Sequence, residues 1–175
     1  NSMKSRILSV LALCLVMSTT GFGQNKKAVN LDEQIKLNGK VRTGKLANGL
    51  TYYVRANNKP ANRAEFQIAV NAGSVLEEAN EVGLAHFTEH MNFNGTKQFP
   101  ANTMIDDLEK EGIVFGREIN AYTGFDQTVY MVTLPTDNAR LFDMGLKILD
   151  GWASGMLMTG EEIDKERGVI IEEWR

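Results

Sequence analysis

Apolar residues along this chain change their spacing in blocks, and the order of those blocks limits the fold more than any other feature. Val41 to Leu46 and Leu50 to Ala56 flank Ala47-Asn48-Gly49, and an Asn-Gly pair between two apolar runs predicts a hairpin. The run Ala64-Glu65-Phe66-Gln67-Ile68-Ala69-Val70 alternates like a half-buried strand and stops at Asn71-Ala72-Gly73, so one sheet is expected to include the hairpin and this strand. From Gly83 to Phe93 the spacing turns helical, and Asn94-Gly95-Thr96 supplies the stop. Asn102 can cap a second helix that runs to Lys110 and ends before Gly112. Asn120 to Tyr122 and Thr128 to Leu134 read as two further strands around the polar turn Gly124-Phe125-Asp126-Gln127, with Pro135 ending the second. Thr136 or Asp137 can cap a helix through Trp152 with Leu141, Met144, Leu146, Ile148 and Leu149 on or near its buried side. A last helix starts near Thr159, where Glu162 completes a capping box, and has no stop signal before Arg175. The chain is therefore expected to stop inside a helix. Strands and helices come in runs rather than in strict alternation, which predicts an α+β fold with a mostly antiparallel sheet and helices packed on one face. A doubly wound parallel sheet is the lesser option.

The first residues read as an address. Lys4 and Arg6 precede the apolar run from Ile7 to Met17, and Ser18, Thr19, Thr20 and Gly21 follow, the pattern of a secretory signal peptide. The run falls short of the roughly 20 apolar residues that a spanning helix needs, so no stable membrane span is expected. Gly21 and Gly23 stand where signal peptidase requires small residues for a cut before Gln24. Leu13, directly before Cys14, argues against lipidation. The expected organisation is a signal peptide over 1–23, a polar lead-in over 24–40 and one domain over 41–175, incomplete at its C-terminus. An exported protein follows, in the periplasm or secreted.

Composition then excludes several chemistries. Losing the leader removes Lys4, Arg6 and the chain's single cysteine, leaving 17 basic against 22 acidic residues, a net charge of −5. No thiol remains for nucleophilic catalysis or a cysteine zinc site. The mildly acidic balance, without a Lys/Arg cluster, excludes a nucleic-acid surface as the main partner.

The whole chain has two histidines, His86 and His90, four residues apart on a predicted helix, so both rings share one face. Glu89 lies directly before His90, giving His86-Phe87-Thr88-Glu89-His90. Two imidazoles one turn apart can each offer a nitrogen to a tetrahedral zinc, which then needs a third protein ligand. An adjacent carboxylate can take the proton of a water that attacks a peptide carbonyl. The plain alternative is a solvated helix face. Against it, Leu84, Ala85, Phe87, Met91 and Phe93 surround the motif with apolar side chains, and buried imidazoles and carboxylates need partners. Downstream, Glu166 and Glu173 lie seven residues apart on one face of the last helix.

His-x-x-Glu-His is the inverted zinc motif of the inverzincins. Together with Gly73-Ser74, Gly83-Leu84-Ala85, Phe93-Asn94-Gly95-Thr96, Asn120-Ala121-Tyr122-Thr123 and Glu166-Arg167-Gly168-Val169-Ile170, the chain resembles the pitrilysin or insulinase family of metallopeptidases, M16, from about Val41 to Arg175. Phe115-Gly116-Arg117 and Glu172-Glu173-Trp174-Arg175 are most similar to its exported bacterial PqqL-type zinc proteases. The resemblance implies the M16, LuxS-like domain fold, one zinc ion on His86 and His90, Glu89 as general base and a downstream glutamate as third ligand. Spacing favours Glu166, because the family separates the second histidine from that ligand by about 75 residues, and 75 residues lie between His90 and Glu166 but 82 between His90 and Glu173. Local pattern favours Glu173, because the family carries two glutamates seven apart with the later one on the metal, and a longer stretch from Gly112 to Ile119 accounts for part of the difference. The resemblance thus implies Glu173 as ligand and Glu166 as its support. It also implies that Asn120 and Ala121 bind an extended substrate at a strand edge.

The function expected is zinc-dependent hydrolysis of exported or imported peptides, with a peptide or small unfolded protein as substrate. Further C-terminal M16 domains or a partner subunit would complete the enzyme. The alternatives are a noncatalytic M16-like binding or assembly module, an inactive truncated copy, and a site that stores or senses metal.

Overall fold

A computed structural model describes residues 30–175; the signal-peptide reading of residues 1–23 lies outside the described residues. The described residues divide into two units, 30–55 and 56–175. In the first, β1 (Val41–Lys45) pairs antiparallel with β2 (Thr51–Arg55). Asn48-Gly49 turns the chain as expected: Gly49 N donates to Leu46 O at 2.9 Å, and Gly49 takes φ +92°, where a side chain would be strained. No side chain of either strand is buried.

The second unit holds a three-stranded antiparallel sheet in the order β3-β5-β4, from β3 (Arg63–Val70), β4 (Ile119–Thr123) and β5 (Thr128–Pro135). The register lines up Phe66, Val132 and Ile119 across the sheet, and likewise Ile68, Tyr130 and Ala121. These rows face a core shared with Met104 and Leu108 of α2 (Thr103–Lys110) and with Leu141, Met144 and Ile148 of α3 (Ala139–Asp150). Leu108, Val132 and Leu134 are 0% exposed, and full burial of each such side chain contributes about 1.5–3 kcal/mol. A Cβ on Gly145 would stand 2.7 Å from the Phe66 ring, so α3 rests directly on the sheet.

Two helices carry the site: α1 (Leu84–Met91) and α4 (Gly160–Glu173). The segment between α3 and α4 is a π-helical turn, Gly151–Gly155, followed by a bridge of Met156 to Thr96. Lys97 N donates to Gly155 O at 2.8 Å, and Leu157 N donates to Gly95 O at 2.9 Å. The approach to α4 is thereby stitched to the chain that leaves α1. Among the described residues no helix is long and apolar enough to cross a membrane.

The α+β class with an antiparallel sheet stands, and several local expectations are corrected. β1 and β2 form a two-stranded sheet, and β3, β5 and β4 a three-stranded one. Asn102 makes no side-chain cap to α2. Asn138, rather than Thr136 or Asp137, caps α3 by accepting from Arg140 N and Leu141 N. Leu146 is 50% exposed, since it lies about 140° around the helix from Leu141. The regular helix ends at Asp150, and Trp152 is buried in the π turn. Thr159 accepts from Glu162 N at 3.4 Å as a cap should. α4 ends at Glu173, with Trp174 as its capping residue.

Candidate metal centre

Helix α1 is held by its apolar positions: Phe87 and Met91, four residues apart, are buried together with Glu89. That orientation leaves His86 and His90 half-buried on a common face, their rings nearly perpendicular with centroids 4.6 Å apart. Their Nε2 atoms are 3.1 Å from each other. Helix α4 brings Glu173 Oε2 to 3.5 Å from His86 Nε2 and 3.6 Å from His90 Nε2. A tetrahedral zinc bound at about 2.0–2.1 Å separates its ligand atoms by about 3.3–3.4 Å. The triangle of 3.1, 3.5 and 3.6 Å brackets that spacing, so two imidazole nitrogens and one carboxylate oxygen fit zinc in both chemistry and distance. Among the described residues these three form the one group of this kind.

The neighbouring carboxylates do different things. Glu166, buried on α4, accepts at Oε1 from His90 Nδ1 at 2.6 Å, and its other oxygen accepts from Asn94 Nδ2. With the proton on Nδ1, the lone pair of His90 sits on Nε2, the atom that faces Glu173. Glu89 is also buried, and Thr123 Oγ1 donates to its Oε2 at 2.6 Å. It lies on the helix between the two histidines, outside the group of three. Tyr130 lies near enough to sense it: burial pushes the phenol above its ordinary value, a hydrogen bond with Asn92 opposes this, and the Glu89 charge adds to the rise.

Asn120 and Ala121 lie on β4, an edge strand among the described residues, opposite Met131 and Tyr130 of β5. Asn120 Oδ1 accepts from Ala121 N at 2.9 Å. The structure therefore gathers His86, His90 and Glu173, sets Glu166 behind His90, sets Glu89 on Thr123, and leaves Asn120 and Ala121 on the strand beside α1. Sequence reasoning missed the parts played by Asn94, read as a helix stop, and by Thr123, noted only within the run Asn120-Ala121-Tyr122-Thr123. Their positions next to Phe93 and Tyr122 carried no signal, because their partners lie 72 and 34 residues away.

The profile of the insulinase family, peptidase family M16, matches residues 52–175. The chain is 44% identical over 136 residues to the probable zinc protease PqqL of Escherichia coli, covering 78% of this chain and 15% of that protein. It is 41% identical over 135 residues to the probable zinc protease PqqL of Haemophilus influenzae, covering 77% and 15%. The crystal structure of the first half of the periplasmic protease PqqL from Escherichia coli superposes with a TM-score of 0.77 at 42% identity, covering 81% of this chain and 30% of that one. The chain thus spans about 15% of the length of these curated relatives.

Proposed function

Since the chain belongs to the insulinase family of peptidases, M16, we propose that it carries the zinc site of an exported, periplasmic peptidase, on which further M16 domains or a partner subunit complete the enzyme. The observation that carries this reading is the triangle of His86 Nε2, His90 Nε2 and Glu173 Oε2, with sides of 3.1–3.6 Å, beside a buried Glu89. The two relatives are named probable zinc proteases, and the superposed one is named a periplasmic protease.

His86, His90 and Glu173 would hold the zinc, which would supply Lewis-acid chemistry and a water activated near neutral pH. Glu89 is the general base that removes the proton of the attacking water and returns it to the departing amine. Thr123 keeps one of its oxygens engaged at 2.6 Å, so the other is free for that transfer. Glu166 holds His90 in the tautomer that presents Nε2, and Asn94 holds Glu166. An extended peptide adds to the β4 edge at Asn120 and Ala121, where backbone pairing selects chain conformation over sequence. The substrate class is a peptide or small unfolded protein.

The test is zinc per chain after dialysis, by elemental analysis, with His86→Ala beside the wild type. About one zinc per folded chain, lost in the variant, supports the site; a folded wild-type chain without zinc sinks it. Cleavage of a peptide library by the enzyme completed with its further domains or partner subunit then tests the chemistry, and Glu89→Gln should abolish it while keeping the metal. Retained cleavage in that variant would falsify the assigned base.

A further inference from the structure

The first turn of a helix has N–H groups with no acceptor inside the helix. In α1 the N-cap is Gly83, at φ +95° and ψ −3°, with no side chain to accept them. Glu77 takes that place from outside the helix: its Oε2 accepts from Gly83 N at 2.9 Å and its Oε1 from Ala85 N at 2.7 Å. Ala85 directly precedes His86. Glu77 is itself the C-cap of a short 3₁₀ turn, Ser74–Leu76. That turn is sewn to the β4–β5 connection, since Ser74 N donates to Gly124 O at 3.1 Å and Val75 N donates to Phe125 O at 2.9 Å. The packing there is close enough that a Cβ on Gly73 would collide with Gly124 O. Gly124 follows Thr123, the residue that holds Glu89. A single carboxylate therefore joins the start of the histidine helix to the turn that anchors the general base.

We infer that Glu77 is a positioning residue for the metal centre: by clamping the N–H groups of Gly83 and Ala85 it fixes the first turn of α1 against the β4–β5 turn, and so sets where His86 Nε2 stands relative to Glu173. The inference rests on the metal-centre reading above. A negative group at a helix N-terminus is favoured by the helix dipole as well as by the two hydrogen bonds. Those bonds, first from Ala85 and then from Gly83, hold the Glu77 carboxyl below the usual glutamate range.

Asn138 provides the control, because its side chain also accepts from two backbone N–H groups, at the start of α3, neither of them in a residue of the metal site. Zinc affinity of the 175-residue chain, measured by competition with a chromophoric chelator, is compared for wild type, Glu77→Ala, Glu77→Gln and Asn138→Ala. Removing an outer support of a metal ligand weakens binding by about tenfold or more. Glu77→Ala is expected to show that loss, Glu77→Gln a smaller one, and Asn138→Ala none. The visible spectrum of the cobalt-substituted site should shift in the Glu77 variants and not in Asn138→Ala. Where Glu77→Ala does not fold, Glu77→Gln carries the test. Wild-type affinity and spectrum in a folded Glu77 variant overturn the inference while leaving the zinc site intact, and so does an equal loss in Asn138→Ala. A wild-type chain that binds no zinc overturns both readings.

Discussion

Helix α1 buries three of its eight residues, Phe87, Glu89 and Met91. Helix α4 buries one of fourteen, Glu166, and that one is a carboxylate. Most of α4 is solvated: Lys165 pairs with Glu161 and Glu162, and Val169 and Ile171 are exposed. An open apolar cleft of about 590 Å³ lies where the two helices meet, lined by Leu84, Phe87, Ile163, Ile170 and Trp174 among others. α1 is thus seated by core packing, while α4 meets it across this cleft, through Glu166 on His90 and through Glu173 beside both histidines. The lesson is that the two halves of the centre have different foundations. One stands on apolar burial that needs no metal, and the other depends on polar contacts that the proposed zinc would complete.

The sharpest way to break this asymmetry is to remove a ligand from each half. His86→Ala and Glu173→Ala should both abolish stoichiometric zinc binding, measured by elemental analysis, because the metal loses one of three protein ligands. In the absence of metal the halves should separate. Met91→Ala, at a side chain 0% exposed in α1, is expected to cost about 2–5 kcal/mol in urea unfolding. Ile171→Ala, at a side chain 55% exposed in α4, should stay within about 0.5 kcal/mol. Equal costs would erase the distinction.

Smaller effects sharpen it. Glu166→Gln should weaken zinc by about 10–100-fold without abolishing it, since the variant loses the charge that accepts from His90 Nδ1 but keeps all three ligands. Adding zinc should protect the amides of α4 from hydrogen exchange more than those of α1, because the ligand stabilises the contact that was weaker. The smallest effect is on acidity at the start of α1. The Glu77 carboxyl, held below 4.5 by the Ala85 and Gly83 N–H groups, contributes stability above that pH and loses it as pH falls. The stability gap between wild type and Glu77→Gln should therefore be present at neutral pH and close in acid, as urea unfolding at a series of pH values would show.

Much of α1 was legible in the sequence because the relation between His86, Glu89 and His90 is local. A helix of about 3.6 residues per turn places residues four apart on one face whatever surrounds them. The Asn48-Gly49 turn and the strands around Gly124 to Gln127 were legible for the same reason, since turn chemistry acts over a few residues. The caps were less so: Asn102, Thr136, Asp137 and Asn138 all have capping side chains, and only the geometry of entry into each helix selects among them.

The sequence by itself determined the helix that carries His86, Glu89 and His90, the two turns that fold the strands back, and the pairing of two glutamates on one face of α4. It did so because each of these follows from backbone periodicity or from turn residues close together. Only the tertiary structure decided which glutamate stands against which nitrogen, Glu166 at Nδ1 of His90 and Glu173 near the two Nε2 atoms. Two residues seven apart are equivalent by periodicity. What separates them is the axial offset between α1 and α4, set by the bonds of Lys97 to Gly155 and Leu157 to Gly95, which join segments some sixty residues apart.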